Sequence, residues 1–175
     1  MRLRLNMCDV DFQIKIKGWR ATPSGEYDCD QWTRDEFYLK GKYIDYYFDS
    51  EVLLSDEVVY LRNALENLLD GTLKEDCIIS FAEPDFEFRL SPAKRLYSEP
   101  GKIIYRDGYI DVDIDMDMII HFWCEGGLGT NQFSMSFDRG EIKALYTYLQ
   151  LVTKEISAES TQVKQYIASG VFLPE

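Results

Sequence analysis

Along residues 11–20 the side chains alternate, with Phe12, Ile14 and Ile16 on one side of an extended chain and Gln13, Lys15 and Lys17 on the other. A period of two predicts a strand with one buried face and one wet face. Thr22-Pro23-Ser24-Gly25 marks a loop. Trp32–Lys40 and residues 42–53 predict two further strands, with Gly41 between two lysines as their tight turn. At Ser55 the period lengthens: Val58, Leu61, Leu65, Leu68 and Leu69 recur at steps of three and four and form one helical stripe. Ser55 reads as the N-cap, and Asp56 and Glu57 put negative charge at the positive end of the helix dipole. Gly71 supplies the left-handed residue that ends the helix.

The second half repeats this plan. Residues 77–81 and 85–90 predict strands separated by Ala82-Glu83-Pro84, where proline interrupts a ladder. Residues 91–101 read as a loop. Residues 103–105 and 109–123 read as a hairpin turning at Asp107-Gly108, and 131–137 as a strand with Phe133, Met135 and Phe137 on one face. Asp138 and Glu141 have the spacing of a capping box, and Ile142, Leu145, Leu149 and Val152 form the stripe of the helix that follows. The stripe residues Val58, Leu61 and Leu65 match Ile142, Leu145 and Leu149 at a constant offset of 84. Residues 157–169 allow a third, weaker helix carrying Val163 and Ile167, with Gly170 at its end.

Strands joined by short turns must pair antiparallel, and two amphipathic helices need a sheet to cover. The expectation is therefore an α+β fold: one curved antiparallel sheet with both long helices packed on one face. At 175 residues the chain fits one domain spanning 1–175, with 157–175 a peripheral helix and tail.

Charge alters this picture. The chain has 31 acidic and 19 basic residues, a net charge of −12 and a pI near 4.5. Such a field repels nucleic acid and anionic membranes and attracts basic proteins; it also serves solubility alone. Met1-Arg2-Leu3-Arg4-Leu5 alternates charged and apolar groups and lacks the apolar centre of a signal peptide. No apolar run reaches the roughly 20 residues of a membrane span. A soluble, cytoplasmic protein is expected. Cys8, Cys29, Cys77 and Cys124 include no C-x-x-C pair, so reduced thiols are expected rather than a zinc site or a disulfide framework.

Catalytic chemistry finds little support. The one histidine, His121, lies in a predicted strand beside Phe122 and Trp123 and reads as a packed or edge residue, with a general base as the alternative. No nucleophile elbow, P-loop or dinucleotide fingerprint occurs. Gly126-Gly127-Leu128-Gly129 joins two predicted strands, without the helix N-terminus that lets such loops hold phosphate. No enzymatic activity, cofactor or metal is expected.

The sharpest local feature is Asp111, Asp113, Asp115 and Asp117, alternating with Val112, Ile114, Met116 and Met118. In one strand these carboxylates share a face at about 7 Å spacing. Their mutual repulsion in water is about 0.6 kcal/mol per pair, tolerable only on a solvated face. A calcium loop requires glycine and glutamate where Met116 and Phe122 stand. The row reads as a plain solvated face or as a docking strip for a basic partner. Asp28, Asp30 and Trp32, followed by Tyr43, Tyr46, Tyr47 and Phe48, form a second acidic and aromatic group suited to Arg and Lys side chains, or to covering the sheet.

Several segments together resemble a known family. Asp30-Gln31-Trp32 opens a strand, and a leucine helix ends in Leu68-Leu69-Asp70-Gly71. Phe81-Ala82-Glu83-Pro84-Asp85-Phe86-Glu87-Phe88 follows, and a strand from Phe133 to Phe137 runs into a second leucine helix. This order resembles the WapI-type immunity proteins over about residues 28–155. The resemblance implies a small bacterial protein that neutralises a contact-dependent toxin in the cell that makes it. It implies inhibition by binding of a nuclease-like toxin domain whose basic cleft an acidic protein can plug. The aspartate row and about twenty residues after the second helix depart from the family's pattern. The partner is thus expected to be a basic toxin domain, with neither nucleic acid nor membrane as a ligand. A second reading stays open: a homo-oligomeric structural or regulatory module, such as a homodimer, with the tyrosine-rich strand or the tail as its interface.

Overall fold

Alternation sorts the first third of the chain onto two faces. β1 (Arg2–Met7) buries Leu3, Leu5 and Met7, and β2 (Val10–Lys17) buries Phe12, Ile14 and Ile16. β3 (Trp32–Lys40) and β4 (Asp45–Leu54) continue the meander, with Phe12 opposite Leu39 and Phe37 opposite Phe48. All neighbours run antiparallel, and the turn at Gly41 closes with its amide on the Ile44 carbonyl at 2.8 Å. The computed structural model describes residues 1–7, 9–21, 31–97, 109–124 and 127–174, with the backbone alone for 95–97, 109–111, 123–124 and 127–130.

After α1 (Ser55–Leu69), β5 (Cys77–Ser80) and β6 (Phe86–Ser91) begin a second sheet. β7 (Lys94–Tyr97) and β8 (Tyr109–Val112) pair with each other as a separate ribbon. β9 (Asp115–Cys124) and β10 (Gly127–Phe137) complete the second sheet in the order β10-β9-β6-β5. β7 occupies part of the expected loop 91–101; the expected strand 103–105 and the Asp107-Gly108 turn lie outside the described residues. α2 (Arg139–Val152), α3 (Thr161–Ala168) and β11 (Phe172–Leu173) finish the described chain.

The protein is therefore α+β with antiparallel sheets, but the strands are divided between two main sheets instead of forming one. Aromatic packing shows why. The buried faces carry too many large rings for two helices to cover, so they close on each other. Phe12 meets Phe137 edge-on at 5.8 Å, Phe37 meets Phe86 at 5.3 Å, and Tyr46 meets Phe122 at 4.7 Å, each pair spanning the two sheets. The helices pack on each other, α1 also against β4, and α2 against β1 and β10. They serve both sheets rather than lying on one face of a single sheet.

The helix termini follow the sequence with one exception. Asp138 accepts from the Glu141 amide and Glu141 accepts from the Asp138 amide, both at 2.9 Å, a reciprocal capping box. The N-cap of α1 is Leu54, not Ser55. Glu57 takes the Leu54 amide at 2.8 Å and the Ala82 amide at 2.6 Å, while Ser55 turns inward to accept from the Arg20 amide. Glu57 and Glu141 stand at the same offset of 84 as the stripes. The echo thus includes a hairpin, a capped helix and the capping glutamate. Gly71 and Gly170 take φ of +78° and +75° just past α1 and α3.

The tail packs on its own chain. β11 pairs with β1, Phe172 is fully buried between Tyr148 and Tyr166, and Val163 is fully buried. Phe172→Ala should lower unfolding free energy by about 3 kcal/mol, measured by urea denaturation. An unchanged midpoint would show that the tail is not part of the cooperative core.

Among the described residues one carboxylate lies inside. Asp35 follows the parity of Thr33, Phe37 and Leu39 and is fully buried. It accepts from Thr33 Oγ1 at 3.0 Å and the Leu53 amide at 3.1 Å, beside the register shift where β3 meets β4. Burial outweighs these donors and the Lys17 charge and pushes its pKa up from 3.8 to about 7. In the fold the carboxyl holds a proton that the unfolded chain has released, so stability falls as pH rises between those values. The urea midpoint should decline from pH 4 to pH 7 more steeply in the wild type than in Asp35→Asn. Equal slopes would contradict this assignment.

Candidate functional site

The two sheets differ in what they show to water. On the first, Arg2 reaches Glu36 at 2.5 Å, Lys17 pairs with the same Glu36, Arg4 holds Asp11 at 2.9 Å, and Arg34 holds Asp49 at 2.7 Å. These contacts make a self-compensated grid. Residues 1–54 carry ten acidic and eight basic groups, whereas residues 55–175 carry twenty-one and eleven. The negative field belongs to the second half.

On the second sheet the register lays out the outer face. Ile78 of β5 lies opposite Arg89 of β6, Arg89 opposite Asp117 of β9, and Asp117 opposite Ser136 of β10. The next rows place Ser91 opposite Asp115, and Ser80, Glu87, Ile119 and Ser134 in line. The Arg89 guanidinium turns along its own strand to Glu87 at 2.7 Å. Asp117 accepts the Ser136 hydroxyl at 2.5 Å, and neither Asp115 nor Asp117 has an ion pair among the described residues. Ile119 is 3% exposed, so this face is covered at its middle and open at the Asp115–Asp117 end.

The expected ladder of four aspartates on one strand is corrected here. Residues 113–114 break the segment into β8 and β9. Asp113 accepts the following Ile114 amide at 2.8 Å, a local bond that competes with a sheet ladder. Its carboxylate is also forked by Arg139 at the start of α2, at 2.9 Å and 2.6 Å. Arg139 and the Ile114 amide hold the Asp113 carboxyl below the usual range. Asp111 sits in β8 opposite Arg95. Only Asp115 and Asp117 remain together on one strand face.

Asp28 and Asp30 lie outside the described residues. Trp32 opens β3 on the first sheet, opposite Leu54 and half-buried, and is not joined to the aspartates of β9. Of the tyrosine group, Tyr43 and Tyr47 are the most solvent-exposed, at 89% and 57%, while Tyr46 packs on Phe122. His121 is half-buried in β9, and its amide donates to the Asp85 carbonyl at 2.9 Å. Among the described residues no group of three or more His, Cys, Asp or Glu side chains is placed to hold a metal ion, and no helix is long and apolar enough to cross a membrane. Cys77 is a free, half-buried thiol.

Sequence reasoning missed three exposed apolar residues, Ile78 at 63%, Tyr60 at 55% and Val112 at 44%, the last expected on the face opposite the aspartates. Ile78 gave no signal because it sits in an apolar run. Tyr60 falls off the Val58-Leu61-Leu65 stripe, and that position is readable on a helical wheel.

The arrangement offers hydroxyls, uncompensated carboxylates and an apolar edge on a rigid sheet, which suits contact with a cationic protein surface. Form alone thus defines a two-sheet α+β protein with one acidic sheet face. Residues 6–157 match the Immunity protein WapI-like family, and the chain belongs to that family. No curated protein and no solved structure matches it. β11 and α3 lie beyond the matched segment.

With Arg139→Ala, the Asp113 carboxyl should titrate at higher pH than in the wild type, followed by carbon-detected NMR. No change would show that the ion pair does not persist in solution.

Proposed function

We propose that the chain is an immunity protein that binds a basic, nuclease-type toxin domain and blocks its substrate cleft, acting by occupancy and not by catalysis. Family membership supports the immunity role. The observation that carries the basic partner is the asymmetry of charge: one sheet face is largely self-neutralised, while on the other Arg89 is bonded to Glu87 and leaves Asp115 and Asp117 with no ion pair among the described residues. A nuclease cleft must attract phosphate, so it is lined with cations, and an uncompensated carboxylate face is its complement. Asp111, Asp113, Asp28, Asp30 and Trp32 are secondary contributors in this reading, Asp113 already being held by Arg139. The site of action is the cytoplasm of the toxin-producing bacterium.

Adding the chain to its purified cognate toxin domain should abolish the nuclease activity at one equivalent. Association should slow as salt rises. Asp115→Asn with Asp117→Asn should slow association roughly tenfold while leaving the melting temperature unchanged. Absence of binding and inhibition at every salt concentration would overturn the proposal.

A further inference from the structure

Each sheet must end somewhere, and the ends are protected unequally. On the first sheet β11 covers β1, and the open strand β4 exposes Asp45, Asp49 and Glu51, the charged side chains that keep an edge from pairing. On the second sheet β10 exposes Gln132, Ser134 and Ser136. β5 is different. It has no charged residue, pairs only with β6 among the described residues, and holds Ile78 63% exposed.

The ground beside β5 carries charge of both signs. A recess of about 700 Å³ runs from Asn67 and Thr72 past Glu75 and Asp76 to Cys77 and Ile78. Lys74, in its lining, donates to the Gly71 carbonyl at 2.6 Å, and neighbouring Lys94 pairs with Asp76 at 2.7 Å. Glu75 has no ion pair among the described residues, and the Asp70 carboxylate is bonded to Thr72. Along α1, Tyr60 shares the solvent face of Asn67, two turns away. The one basic residue of α1, Arg62, is consumed by Glu155 and Thr153.

We infer that β5 is the strand to which the toxin adds: an extended, lysine- or arginine-bearing segment pairs with the open edge, stacks on Ile78, and lies against the Tyr60–Asn67 face of α1. Main-chain hydrogen bonds supply the register, and Glu75, which has no ion pair among the described residues, together with the excess of acidic over basic groups in residues 55–175, favours a cationic segment. The assignment rests on the immunity reading and deepens it. Ile78 lies on the same outer face as Asp117, two strands and about 10 Å away. The added strand and the carboxylate face thus make one continuous surface.

The test uses the full chain and its cognate toxin domain. Hydrogen exchange of amides 77–80 should slow at least about tenfold in the complex, and Ile78→Arg and Tyr60→Ala should each weaken binding by about tenfold or more. Both positions are exposed, so both variants should melt like the wild type. If the complex forms and inhibits while amides 77–80 exchange as in the free chain, the strand-addition assignment is overturned and the immunity reading survives. If wild-type protein forms no complex at all, both fall together.

Discussion

The aromatic seam between the two sheets sets everything that can be seen from outside. Phe12, Phe37, Phe86 and Phe137 meet within 5.2–5.8 Å across and along it. Because side chains of a strand alternate, committing those rings to the interior commits their neighbours to water. Glu36 and Lys17 are outward because Phe37 and Ile16 are inward, and Asp117 is outward because Met116 and Met118 are inward. A slip of one residue in β9 would drive Asp115 and Asp117 into the core, where two unpaired carboxylates are not tolerated. The packing that stabilises the fold therefore also aims the candidate surface.

Charge then divides the labour between the sheets. Cross-strand pairing on the first sheet cancels most of its charge, in contacts that add little stability individually. On the second sheet arginines are drawn elsewhere: Arg89 to Glu87 along the strand, Arg139 to Asp113 at the helix start. Asp115 and Asp117 have no ion pair among the described residues. Such a face costs the free protein little in water and is the kind of feature that speeds encounter with an oppositely charged molecule.

Much of this is legible in the sequence because the signals are periodic. The α+β class, the β3–β4 hairpin, both helix stripes and the Asp138–Glu141 cap all follow from spacing alone. The echo at offset 84 also carries real architecture, since Glu57 and Glu141 cap equivalent helices. Other features depend on tertiary events that no window of sequence contains. Whether strands form one sheet or two is decided by which faces find each other, here through Tyr46 on Phe122 and Phe12 on Phe137. At the break Asp113 is held by Arg139, twenty-six residues away. β11 has only two residues and exists because β1 offers an edge. β1 itself was readable in the alternation of Arg2, Leu3, Arg4 and Leu5, and the burial of Asp35 in its shared parity with Phe37 and Leu39.

In this proposal the toxin domain meets the second sheet, at its acidic outer face and its β5 edge. The crystal structure of the chain bound to that domain tests it most directly. The toxin's basic cleft should sit over Asp115 and Asp117, with a toxin segment alongside Cys77–Ser80. A complex in which the toxin lies on the Arg2–Glu36–Arg34 face of the first sheet, leaving the second sheet in solvent, would contradict it.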